Sequence, residues 1–169
     1  VLEQAMAEAR KKVKEVIVVF NVENGSRNVT SINVNLPKPV QESIISNRIR
    51  TTVIVVDSPD IRISMDQGAI EEINRQARTD VNVTAARRNN NHLSDEARKA
   101  IGGRPVFDLR VNYGGSRQVQ NFGTGSVTVT IPYTLGHNEK PENVRAVYVD
   151  NNGQVHWLEN SVYDSKARV

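Results

Sequence analysis

A strand-then-helix pattern written twice constrains this chain more than any other feature. Ser31-Ile-Asn-Val-Asn-Leu36 alternates apolar and polar residues, the period of a half-buried strand, and Pro37-Lys-Pro-Val-Gln-Glu-Ser-Ile-Ile45 follows with helical spacing. Proline is tolerated in a first helical turn because the amide it lacks has no intrahelical partner there. Asp60-Ile-Arg-Ile-Ser-Met65 alternates again, and a helix follows to Ala77, with Asp66 as its N-cap and Ala69, Ile70, Ile73 and Ala77 as one apolar stripe. Aligned, Ile32, Val34, Leu36, Val40 and Ile44 fall on Ile61, Ile63, Met65, Ala69 and Ile73, and Thr51–Val56 reads as the strand between. Two copies are too few for a solenoid, so the pattern predicts a duplicated packing unit.

Around this unit the chain is punctuated clearly. Leu2–Lys12 is rich in Ala, Glu, Lys and Arg and predicts a short helix, which reads as an internal piece of a longer chain with no signal peptide. Lys14–Val22 turns β-branched and predicts a strand ending at an Asn24-Gly25 turn. Asp80–Thr84 alternates, and Ser94 caps a helix that stops at Gly102-Gly103. From Pro105 onward the pattern is nearly all β: strands at 106–113, 117–121, 126–131 and 144–149, and a return through the Asp150-Asn-Asn-Gly153 turn to Gln154–Leu158. Ser161–Val169 runs towards a further strand.

The expected fold is therefore mainly β with short helices (α+β) and sandwich-like. A helical linker spans 1–12, a strand–helix half-domain spans 13–103, and an antiparallel β half-domain spans 104–169. Inward alternation along 106–111 and 127–131 is expected to build a core shared by the two halves.

Chemistry is sparse. The chain has no cysteine, which removes disulfides, thiolate metal sites and thiol nucleophiles together. His92, His137 and His156 are far apart and lack a second ligand at short spacing, so no metal site is expected. Asp150–Glu159 has the outline of a calcium loop without acidic residues at alternate positions, and a hairpin turn accounts for it. Asp57, Asp60 and Asp66 suit turns and caps; paired catalytic carboxylates would need an aromatic-lined cleft, and aromatics make up only 5% of the chain. No nucleophile elbow or phosphate-cradling loop is present, so neither an enzyme nor a cofactor is expected. A net charge of +3 without a basic stripe gives no nucleic-acid footprint, and no apolar run approaches the ~20 residues of a membrane span.

Aromatics in the β half offer the one binding candidate. Tyr113, Tyr148 and Trp157, if they share an exposed face, form a stacking platform for polysaccharide. Phe107, Phe122 and Tyr133 are expected to pack in the core or at its edge instead.

Ile32–Pro37, Ile61–Ile73, Ile101-Gly-Gly-Arg-Pro-Val-Phe-Asp-Leu109, Gly125-Ser-Val-Thr-Val-Thr-Ile-Pro-Tyr133 and the Val144–Leu158 hairpin carry a resemblance to a known family. Together they resemble the β-sandwich module found beside S-layer-homology repeats in large secreted surface proteins of Gram-positive bacteria, which is itself similar to ZU5 and GAIN-type modules. The resemblance implies an extracellular, cell-surface or cell-wall setting, neighbouring modules in the same chain as partners, and a non-catalytic spacer role. Some ZU5 and GAIN-type modules cleave themselves before a serine in a His-Phe-Ser-like strand. The chain stops at Val169 before any such motif, so the resemblance leaves part of an autoprocessing domain as an alternative reading, with self-cleavage carried onto no residue here.

Overall fold

The computed structural model describes residues 15–20, 30–47 and 50–169. The helix expected over 2–12 and the Asn24-Gly25 turn lie outside them. Among the described residues the fold is mainly β with three short helices, as the sequence patterns predict. Backbone contacts divide it into two units, one of Val1–Ala86 with Asp108–Thr130, the other of Arg87–Phe107 with Ile131–Val169. The expected boundary at 103/104 falls inside one segment of the second unit, Arg87–Phe107, and Asp108–Thr130 belongs with the first.

In the first unit the duplicated pattern forms as read. Strand β2 (Ser31–Leu36) buries Ile32, Val34 and Leu36, and helix α1 (Lys38–Ser46) follows it with Gln41 and Ile44 inward. Strand β3 (Arg50–Asp57) leads into β4 (Arg62–Asp66), and helix α2 (Gln67–Ala77) buries Ala69, Ile70, Ile73 and Ala77. Asp66 caps α2 as expected, its side chain accepting from the Ala69 amide at 2.8 Å. The duplication reaches further than the sequence alignment showed. Strand β5 (Val81–Arg88) buries Val81, Val83, Ala85 and Ala86 in the same order as Thr51, Val53, Val55 and Val56 of β3, down to the two adjacent buried residues. In β3 the first of those two, Val55, sits in a bulge between Ile54 and Val56.

The two strand–helix–strand copies exchange strands. The first strand of the first copy, β2, pairs antiparallel with the last strand of the second, β5; β3 and β4 pair with each other in a different sheet. Neither copy can complete a sheet alone. Gln41 ties them: fully buried, it donates from Nε2 to Leu36 O (2.9 Å) and Thr79 O (3.1 Å) and accepts from Asn74 on α2 (3.2 Å).

Strands on either side of the duplicated unit in sequence finish the edges that this exchange leaves open. β1 (Glu15–Val19) runs parallel to β3, while β8 (Val127–Thr130) pairs with the far side of β4, giving the order β1-β3-β4-β8. β6 (Val106–Tyr113) and β7 (Arg117–Gln118) extend the second sheet as β2-β5-β6-β7. The strands after 104 thus spread over the sheets instead of gathering into one. The expected inward alternation of 106–111 and 127–131 reduces to Val111, because β8 and most of β6 lie at half-exposed margins, where covering an open edge matters more than filling the core. Just before β8, Gly125 crosses the first turn of α2 so closely that a Cβ on it would stand 1.9 Å from Ala69 N. Only glycine permits that approach.

The second unit contains helix α3 (Asp95–Ile101), a short 3₁₀ turn (Pro141–Asn143) and a two-stranded antiparallel ribbon of β9 (Val147–Val149) and β10 (Val155–Trp157). Ser94 caps α3 by accepting from Ala97 N, and Gly102 closes it at φ 61°. Ser161–Val169 forms no strand. It closes into a turn in which Asp164 accepts from the amides of Lys166 (2.8 Å) and Ala167 (3.1 Å).

Candidate functional site

The β9–β10 ribbon presents the most exposed large aromatic side chains of the described residues, Tyr148 at 55% and Trp157 at 59%. Alternating Val-Tyr-Val and Val-His-Trp make the strands, and Asp150 makes the turn. Its Oδ1 accepts from the amides of Asn152 (2.8 Å) and Gln154 (2.9 Å), while Gly153, at φ 78°, donates its N–H to Asp150 O at 2.9 Å. Oδ2 accepts from His156 Nε2 at 3.1 Å. An ionised carboxylate can only accept, so Nε2 carries the hydrogen. The His156 contact, then the Gln154 and Asn152 amides, hold the Asp150 carboxyl below its ordinary value against a smaller opposing effect of burial. The calcium-loop outline is thus a hairpin turn whose acid is occupied by its own chain.

Register decides what the aromatics can share. Tyr148 pairs with His156 and Trp157 with Val147, so Tyr148 and Trp157 point to opposite faces of the ribbon. Tyr148 stacks on the His156 ring, with centroids 6.0 Å apart. Tyr113 belongs to the first unit, half-buried at the end of β6 beneath the Arg117 guanidinium, 5.0 Å from its ring centre. Tyr148 and Trp157 therefore share no face of the ribbon, and Tyr113 packs under Arg117 within its own unit. Phe107, Phe122 and Tyr133 are each half-buried.

A second cluster carried no sequence signal. Glu139 accepts from the Tyr133 hydroxyl, from Gly136 N (2.7 Å) and from Arg104. The tyrosine hydroxyl first, then the amide and the guanidinium, hold Glu139 below the usual carboxylate range, and the same contact pushes the Tyr133 hydroxyl up. Tyr163 donates to Tyr133 O at 3.0 Å and meets its ring edge-on at 6.4 Å. A tyrosine made harder to ionise, facing a carboxylate that also has two other donors, suits a brace and not a proton-transfer pair.

No protein-family model, curated protein or solved structure matches the chain. Among the described residues no group of three or more His, Asp or Glu side chains is arranged to hold a metal ion, and no helix is long and apolar enough to cross a membrane. His92 and His137 are both exposed in the second unit. Of the three aspartates weighed from sequence, Asp66 caps α2 and Asp57 pairs with Arg62 at 2.9 Å across the β3–β4 turn.

Proposed function

We propose that the chain is a non-catalytic structural or spacer module of a multimodular, surface-anchored extracellular bacterial protein. The observation that supports this best is the use made of the carboxylates with lowered pKa. Glu72 accepts from Arg75 and Gln76, Glu139 from Tyr133, Gly136 and Arg104, and Asp150 from its own turn and His156. Groups with perturbed pKa are where catalysis is usually sought. Here Glu72 is occupied by donors on its own helix, and Glu139 and Asp150 each hold a loop or turn of the second unit. The resemblance to modules beside S-layer-homology repeats supports the surface setting.

A second reading, a carbohydrate- or cell-wall-binding module, rests on the exposed indole of Trp157. Passing the purified chain over cellulose, xylan, chitin and Gram-positive cell wall separates the two. Clean flow-through from every matrix, with no hydrolysis of any, is expected for a spacer. Retention that Trp157→Ala abolishes, with the fold intact, would replace the spacer reading with the binding one.

A further inference from the structure

We propose that Asn152–Gly153, at the tip of the β9–β10 ribbon, is a latent self-modification site: a slow deamidation that the Asp150 turn restrains and whose product releases the ribbon tip from the cap of α3.

Asn-Gly is the dipeptide in which this chemistry meets least steric resistance, since glycine places no Cβ beside the attacking nitrogen. The Gly153 nitrogen, losing its proton to water, attacks Cγ of Asn152. The new C–N bond closes a five-membered imide, the Cγ–Nδ2 bond breaks, and ammonia leaves with the proton. Water then opens the imide at either carbonyl, giving aspartate or isoaspartate. No oxidant or reductant enters.

Three features of the turn oppose the first step. Gly153 N–H is already donated to Asp150 O at 2.9 Å. The Asn152 amide is pinned to Asp150 Oδ1 at 2.8 Å, which fixes the backbone on which the side chain must swing round. That same Oδ1, carrying negative charge, touches the amides on both sides of Gly153 and opposes the charge developing on its nitrogen. Attack therefore requires the tip to open. Asn152 is exposed, so water has access once it does.

The consequence follows from one further contact. Ser94 Oγ, which caps α3 by accepting from Ala97 N (3.2 Å), also donates to Gly153 O at 2.9 Å. Isoaspartate threads the main chain through the side-chain carbon and adds an atom between residues 152 and 153. The Gly153-to-Asp150 bond and the Ser94 bridge then cannot both keep their lengths, and the ribbon tip parts from the helix cap.

The test is ageing of the whole chain at neutral pH, followed by peptide mapping of the amide-to-acid mass gain. The tryptic peptide 146–166 serves as the unfolded reference. Mapping also separates Asn152 from the chain's other Asn-Gly pair, Asn24–Gly25, which lies outside the described residues. Asn152 is expected to convert about tenfold or more slowly in the folded chain than in the peptide, the factor carried by one typical hydrogen bond. Asp150→Ala should move the folded rate towards that of the peptide. Asp150→Asn, which keeps an acceptor but loses the charge, should fall between. Equal rates in folded chain and peptide, or an Asp150→Ala rate no faster than wild type, overturn the restraint. Unchanged amide exchange at 152–154 and Ala97 in the isoaspartate fraction overturns the release.

Discussion

The two units are held by different forces. The first holds nearly all the buried apolar side chains, from Ile32 and Leu36 through Ile70, Ile73 and Val83 to Val111 and Val119, while the second buries only Ala97 and Ile101 among the described apolar residues. What the second has instead is directional: the Glu139 brace, the Asp150 turn, the Ser94 bridge and the Tyr133–Tyr163 pair. Burial is non-directional and cumulative, so the first unit should unfold as a block. A unit fastened by exposed hydrogen bonds should open locally, at lower free energy and more readily with changing pH.

The largest expected effect breaks the first unit at its core. Ile70→Ala removes a fully buried side chain from the inward face of α2 and should cost about 2–5 kcal/mol in denaturant unfolding. Gly125→Ala should be comparably damaging without removing any atom, because the new Cβ would meet the α2 backbone. Near-wild-type midpoints for both would mean that burial does not dominate there.

Gln41→Leu sharpens the contrast from inside the first unit. It adds apolar character at a fully buried site, yet should destabilise by roughly 1–3 kcal/mol because Leu36 O and Thr79 O lose their donor. A stabilised variant would show the staple to be dispensable.

Acid should loosen the second unit through two identified groups. Glu139 and Asp150 have folded pKa values below their ordinary 4.5 and 3.8, so their contributions are present above those values and fade as pH falls through and below them. Amide exchange at Gly136 and at 152–154 should accelerate over that range, beyond the intrinsic pH dependence of exchange, and Glu139→Gln should remove the acid effect at Gly136 alone. The smallest change belongs to the exposed aromatics: Tyr148→Ala and Trp157→Ala should each shift stability by less than about 0.5 kcal/mol in thermal unfolding.

Local signals in the chain were strong wherever a residue acts on its own neighbours. The alternation of Ile32, Val34 and Leu36, the cap at Asp66, the stop at Gly102 and the Asp150–Gly153 turn are all short-range, so each is written within a few residues. Three things of longer range were not legible. Strand exchange between the copies depends on which edges meet, and the same alternating pattern fits either sheet. Glu139 finds Arg104 35 residues away through the fold alone. That Tyr148 and Trp157 lie on opposite faces of the ribbon follows from which residues pair across it.

The sequence by itself determined most of the described secondary elements, their punctuation and the duplicated unit, because backbone preferences and hydrophobic period act within a few residues; the strand expected at Ser161–Val169 is the exception. The tertiary structure alone decided that the copies interlock, that β6, β7 and β8 close edges more than they fill a core, and that Glu139 meets Arg104. Pairing and charge contact are settled by which distant segments meet, and no local pattern carries that information.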